Sequence, residues 1–159
     1  MYWRLGSEYR RRQPDDNRDA FHRVVKDGPP PGLLAFDNDS AVGWCQLTPR
    51  EALPWLDQAW RLKRVDNLPV WSISCFYIRT GYRKKGVTAA LIAAALEAAE
   101  EAGASALEAY PLDAQLTPST SHTGYVSTFE RAGFVTVARH VPSRPIMRYE
   151  FKRGIDPSR

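Results

Sequence analysis

The chain has 159 residues but only two cysteines, Cys45 and Cys75. Two thiols make no disulfide framework and offer no metal-binding spacing. Each lies in an apolar run, so both read as buried thiols that remain reduced and are dispensable for chemistry. No apolar run is long enough to span a bilayer, and no signal-peptide pattern precedes the first predicted strand. The expectation is a cytoplasmic protein without membrane contact. Internal repeats, low-complexity tracts and nucleic-acid-binding motifs are also missing. The basic clusters carry no interleaved aromatics, which argues against a nucleic-acid surface.

What is present fits one soluble α/β domain spanning residues 1–159, with 151–159 as a frayed tail. The net charge is +4, unevenly spread. Seven basic against four acidic residues give 1–26 a charge of +3, nine against twelve give 27–138 a charge of −3, and six against two give 139–159 a charge of +4. A basic excess at the two ends suits surface solubility or a homodimer contact better than a nucleic-acid groove.

The most informative stretch runs from Trp71 to Gly103. Trp71–Ile78 is a short apolar run rich in aromatic and β-branched residues, a buried strand. A long helix follows from about Gly86. Leu91, Ala95, Ala98 and Ala102 form its apolar stripe, widened by Val87, Ile92, Leu96 and Ala99, and Gly103 ends it. Its charges oppose its own dipole. Arg83, Lys84 and Lys85 crowd the positive end, while Glu97, Glu100 and Glu101 sit toward the negative end. The turn provides no Asp, Ser or Asn as an N-cap. Such a helix start, rimmed with cations and opened by a glycine, suits an external anion of the phosphate type. A basic triplet that is merely solvated is the competing reading.

Two phosphate-binding patterns bear on this turn. Gly81–Thr88, GYRKKGVT, approaches G-x-x-x-x-G-K-[ST], but Val87 stands where the phosphate-reaching lysine belongs. The second is [QR]-x-x-G-x-[GA], met by Arg83, Lys84, Lys85, Gly86 and Val87, with Thr88 in place of the final small residue. Here the chain resembles the GNAT superfamily of acyl-CoA-dependent N-acetyltransferases. A second stretch, Thr128-Phe129-Glu130-Arg131-Ala132-Gly133-Phe134, resembles that family's helix-to-strand junction. The two motifs cover roughly Leu33 to Phe151.

The remaining chain accommodates this fold. Tyr2–Leu5 reads as a short strand. A helix over Arg18–Lys26, capped by Asp15 or Asp16, turns Ala20, Phe21, Val24 and Val25 inward and ends at the Pro-Gly cluster. Leu33–Phe36 and Ala41–Leu47 form a hairpin around Asp37–Ser40. Trp55, Leu56, Ala59 and Trp60 show partial helical spacing typical of core packing. Arg61, Lys63, Arg64 and Asp66 read as a solvated link. Ala106–Tyr110 is a second buried strand, 112–123 a long polar loop, and Tyr125–Ala132 a short helix. Phe134–Ala138 and Ile146–Phe151 are the closing strands.

The resemblance implies a mixed, mostly antiparallel central sheet flanked by helices, with a splay between its two central strands. It also implies acetyl-CoA as cosubstrate. Its pyrophosphate would lie on Arg83, Lys84, Lys85, Gly86, Val87 and Thr88, and its pantetheine and thioester on backbone atoms of Phe76, Tyr77 and Ile78. Acetyl transfer also requires proton movement at the amine and at the leaving thiolate. Many relatives carry a tyrosine where this chain has Phe129, which has no proton to give. Tyr125, one helical turn earlier, is a candidate acid, with half-buried packing as its competing role. Glu108 and Tyr110 share a strand face and are candidates for the base, with Asp113 just beyond; a paired carboxylate is the plainer reading of Glu108. Cys75 with a distant histidine is disfavoured as a nucleophile pair.

The functional expectation is an N-acetyltransferase acting on a primary amine of a small molecule or peptide. The alternative is a non-catalytic CoA-binding regulatory module.

Overall fold

The computed structural model describes residues 2–113 and 122–152. Six α-helices occur in it: α1 (Tyr2–Leu5), α2 (Ser7–Arg11), α3 (Pro14–Asp27), α4 (Trp55–Gln58), α5 (Val87–Glu101) and α6 (Val126–Arg131). The strands are β1 (Gly32–Asp37), β2 (Ser40–Pro49), β3 (Val70–Ile78), β4 (Ala106–Ala109), β5 (Val135–Val141) and β6 (Arg144–Glu150). They form one six-stranded sheet in the order β1-β2-β3-β4-β6-β5. β3 and β4 run parallel, joined by α5 as the crossover such a pair requires, and the other described pairings are antiparallel. This is the mixed, mostly antiparallel sheet that the resemblance implied.

The hairpin turns through Asn38, whose φ of +49° lies in the left-handed region that asparagine tolerates. The β2–β3 register then slips between Gln46 and Leu47, with Gln46 opposite Cys75 and Leu47 opposite Ile73. Ser74 is thus the extra residue of a β-bulge. Bulges bend a strand and re-aim its side chains, and this one lies in the middle of β3.

The two faces of the sheet differ. One carries Cys45, Leu47, Ile73, Phe76, Leu107, Ala109 and Met147, packed against Leu91, Ile92, Ala95 and Ala99 of α5 and against Phe129 and Phe134. The α5 stripe runs through Ala99 rather than Ala102, which is the C-cap just past the helix and is exposed. The opposite face supports a smaller cluster of Leu53, Leu56, Leu62, Tyr110 and Ile146.

Three expectations change. Tyr2–Leu5 is helical, not a strand. Gly6, at φ +59°, turns α1 into α2, and the Tyr2 ring packs edge-on to Trp3 and Tyr9. The helix expected over Arg18–Lys26 starts at Pro14. Gln13 is its N-cap residue and makes no side-chain capping bond, so Asp15 and Asp16 act through the dipole of the first turn. α3 fully buries none of its side chains, and Val25 is half exposed. Trp60, expected to pack, is 61% exposed. Most of the polar loop expected over 112–123 and most of the expected tail lie outside the described residues.

Candidate active site

The basic turn is built as its sequence suggested. Gly86 is the N-cap residue of α5 at φ +83°, ψ 0°, with no side-chain cap. A Cβ placed there would meet nothing within 4 Å, so glycine serves the backbone conformation and leaves the helix end open. Lys84 holds φ +59°, a left-handed turn in a residue that is not glycine. Arg83 Nε donates to the Ile78 carbonyl at 3.3 Å, tying the turn to the end of β3. The Tyr82 hydroxyl donates to Asp37 at 3.1 Å, and Lys85 Nζ stands 5.4 Å from the Tyr82 ring centroid. The amides of the first helical turn, from Val87 and Thr88 onward, have no partner within the helix by its geometry. Arg83, Lys84 and Lys85 lead directly into that end.

β3 and β4 pair only from Val70–Ala106 to Ile73–Ala109. Beyond Ile73 they part, giving the expected splay. The chain itself enters the gap. The Phe76 N–H donates to the His122 carbonyl at 2.5 Å, Leu112 N–H to Gly124 O at 2.9 Å, and Val126 N–H to Leu112 O at 3.1 Å. Leu112 and Tyr125 form a parallel bridge. Gly124, at φ +77°, lies so close to two rings that a Cβ would stand 3.0 Å from Phe129 and 3.4 Å from Phe76. Arg144 Nη1 fastens this segment by donating to Thr123 Oγ1 at 3.2 Å and to the Tyr110 carbonyl at 3.1 Å. Of the three residues expected to contact pantetheine, Phe76 therefore has its N–H engaged internally. Tyr77 is 59% exposed, and Ile78 lends its carbonyl to Arg83.

Tyr125 stands just outside α6, as its N-cap residue, in extended conformation at φ −115°, ψ 146°. Its carbonyl still accepts from the Phe129 N–H at 3.4 Å, one turn on, but its own backbone is not helical, so helical spacing does not set the direction of its side chain. Phe129 is fully buried between Phe76 and Phe134, with ring centroids at 6.1 and 5.0 Å.

Glu108 and Tyr110 do share a face, and it is a buried one. Glu108 Oε2 accepts from Arg50 Nη1 at 3.2 Å and from the Tyr110 hydroxyl at 3.1 Å. Its Oε1 accepts from Arg148 Nη2 at 2.7 Å and from Arg148 Nε at 3.2 Å. Tyr110 OH also accepts from Arg50 at 2.8 Å and lies 2.8 Å from Ser72 Oγ. Arg50 continues to Asp57 at 2.7 Å and to the Leu62 carbonyl at 2.6 Å. Arg148 continues to Asp66 at 2.7 and 3.1 Å. Burial alone would lower the Arg50 pKa, but Tyr110, Asp57 and Glu108 more than reverse this and leave it raised. Burial, and then the Glu108 charge, push the Tyr110 phenol well up. The Arg148 hydrogen bonds hold Asp66 below the usual carboxylate range. Asp66 is thus part of a network rather than of a solvated link. Asp113, at the far end of the same segment, pairs with Arg139 at 3.4 Å.

Sequence reasoning found Glu108 and Tyr110 but missed Arg50, Arg148 and Asp57. One signal was available. An arginine interrupts the apolar run Ile146-Met147-Arg148-Tyr149, just as a glutamate interrupts Ala106-Leu107-Glu108-Ala109. Opposed charges inside two apolar strands invite pairing.

The cysteines are separate thiols, Cys45 buried as expected and Cys75 only partly so. Burial pushes Cys45 up to about 12 and raises Cys75, so neither is a ready thiolate. Among the described residues there is no group of His, Cys, Asp and Glu able to hold a metal ion, and no helix is long and apolar enough to cross a membrane.

An open helix start beside two strands that part is the arrangement of an acyl-CoA-handling fold, and residues 1–134 match the family model for the acetyltransferase (GNAT) family. The chain belongs to that family. Its fold is shared with yncA from Salmonella typhimurium, solved with its cofactor acetyl-CoA, at 16% identity and a TM-score of 0.57 over 91% of this chain and 78% of that one. It is also shared with a ribosomal-protein-alanine N-acetyltransferase from Brucella melitensis, at 16% identity and 0.55 over 88% and 80%. PH1933 from Pyrococcus horikoshii OT3 is similar at 18% identity and 0.58 over 93% and 80%. No curated protein sequence matches the chain.

Proposed function

We propose that this protein transfers an acetyl group from acetyl-CoA to a primary amine of a small molecule or peptide, in the cytoplasm. The observation that carries the reading is the uncapped, cation-rimmed start of α5 at Gly86, set at the end of β3 where β4 diverges. Acetyl-CoA in the yncA structure and CoA in the NatC complex with Gag peptide support it. Arg83–Thr88 would hold the pyrophosphate through backbone N–H groups and cations. Phe76, Tyr77 and Ile78 would lie along the pantetheine arm.

In this reading Tyr125 protonates the departing thiolate. Glu108, committed to two arginines and a phenol, acts on the acceptor amine through Tyr110 and Ser72 rather than by direct contact. Their hydroxyls join it to the β3 face beside the bulge.

The test has two arms. Calorimetry with CoA should show at least about tenfold weaker binding for a folded Gly86→Asp variant, which places a carboxylate at the anion site; unchanged affinity would remove the site. Free-thiol release from acetyl-CoA across an amine panel then tests transfer. Tyr125→Phe should lower single-turnover rates by about tenfold or more. A rate within about twofold of the parent rejects its role.

A non-catalytic CoA-binding module is the second reading. It is favoured by Phe129, which has no proton and is fully buried, and by the His122 carbonyl on the Phe76 N–H. CoA binding without thiol release on any amine would support it.

A further inference from the structure

The sheet face that carries the Ser74 bulge also carries a row of apolar side chains. Leu34, Trp44 and Tyr77 stand opposite one another across β1, β2 and β3, and the next matched pair on that face is Gln46–Cys75. Two hollows flank Trp44. The larger, about 520 Å³, lies between Trp44 and the α2–α3 corner and is lined by Tyr9, Arg12, Arg18, Phe21 and Trp44, among others. The smaller, about 290 Å³, includes Leu34, Tyr77 and Arg79. Phe21 meets Trp44 edge-on, with ring centroids 5.8 Å apart, so the larger hollow has an ordered aromatic wall.

Its lining is cationic, with carboxylates set behind it. The lining residues of the two hollows include three arginines and no carboxylate. Glu8 holds Arg12 at 2.6 Å, whereas Arg18 reaches Asp15 and Asp19 only at 3.7 and 4.0 Å. Those Arg18 pairs are mostly exposed and contribute little. Among the described residues Arg79 makes no ion pair. A cleft of this size suits a small organic ligand, and guanidinium groups select carboxylates by charge-assisted hydrogen bonds. Two strand residues separate Trp44 from the Cys75 level, about 7 Å along the sheet.

We propose that the larger hollow is the acceptor site, and that its acceptor is a small amine carrying a carboxylate on an aromatic or apolar body. The aromatic wall receives the body, Arg18 and Arg12 receive the carboxylate, and the amine extends toward the β3 bulge. Polyamines and other acceptors that are only cationic face guanidinium groups and are disfavoured. This rests on the acetyl-transfer reading above.

Thiol release from acetyl-CoA, followed with L-phenylalanine, L-phenylalaninamide and spermidine, tests the class. The kcat/KM for phenylalanine should exceed that for its amide by about tenfold or more, the two differing in the carboxylate. Arg18→Gln should erode that ratio to about threefold or less, while calorimetric CoA affinity stays at the parent value. Trp44→Ala should lower kcat/KM for phenylalanine with CoA affinity likewise retained. Equal or better turnover of the amide or of spermidine overturns the proposal and leaves acetyl transfer intact. If no acceptor turns over, ligand-observed NMR with N-acetyl-L-phenylalanine decides: binding that Arg18→Gln weakens supports the site, and no binding, or binding that Arg18→Gln leaves unchanged, overturns it. Absence of CoA binding defeats the acetyl-transfer reading on which it rests.

Discussion

The two faces of the sheet are stabilised by different physics. Toward α5, aliphatic and aromatic side chains exclude water, and each contributes through the area it buries. On the other face the buried positions include Gln46, Thr48, Ser72, Ser74, Glu108, Arg50 and Arg148. Several polar atoms there, among them Gln46 Nε2, Thr48 Oγ1, Ser74 Oγ and Arg50 Nε, have no hydrogen-bond partner among the described residues. Native interiors satisfy the great majority of such groups. One face of the sheet is thus held by buried apolar area, and the other by paired charge and hydrogen bonds.

Three substitutions test this contrast, in decreasing order of effect. Glu108→Leu strips Arg50 and Arg148 of their shared buried counter-charge and should lower unfolding free energy by about 3–5 kcal/mol, measured by urea denaturation. A loss under about 1 kcal/mol would mean that water reaches the network and that the faces differ less than their burial suggests. Ile92→Ala, at a fully buried α5 position, removes methyl groups without exposing charge and should cost about 2–4 kcal/mol. Its effect should be independent of pH. Asp66→Asn should act least, and mainly in its pH dependence. The folded-state pKa of Asp66 is lowered, so its stabilisation is present above the ordinary aspartate value of about 3.9 and is lost as pH falls through the lowered value. Thermal melts of parent and Asp66→Asn should therefore draw together as pH falls from 7 into the acid range. Curves that stay parallel would place the Asp66 contribution in packing instead of charge.

The apolar face was legible because burial follows period. The alanine-rich stripe of α5 and the β-branched run of β3 announce their elements within single segments. The Gly86 turn was legible for a related reason, since its charge order and missing cap are local. The polar face was not, because the pairs that join its strands lie far apart in the chain, 40 residues for Arg148–Glu108 and 82 for Arg148–Asp66. Their pairing depends on strand register, which no local pattern states. Tyr125 shows the limit from the other side. Spacing placed it on a helix, but the Leu112–Tyr125 bridge holds it extended and starts the helix one residue later. Tyr2–Leu5 failed for a similar reason: aromatic residues favour strands on average, and here they pack on one another and on a neighbouring helix.

The bond from Phe76 N–H to the His122 carbonyl makes the protein a competitor for its own β3 edge. An incoming carbonyl that would accept from Phe76 meets an occupied donor, and the occupant is tethered, so dilution does not remove it. The affinity measured for such a ligand is the intrinsic one multiplied by the fraction of molecules in which the bond is open. Loosening Thr123 from Arg144 would raise that fraction without touching any ligand contact. With pantetheine along Phe76, as proposed above, apparent cofactor affinity and Phe76 amide exchange would then rise together, which makes the exchange rate of one backbone proton a gauge of how readily the splay can be entered.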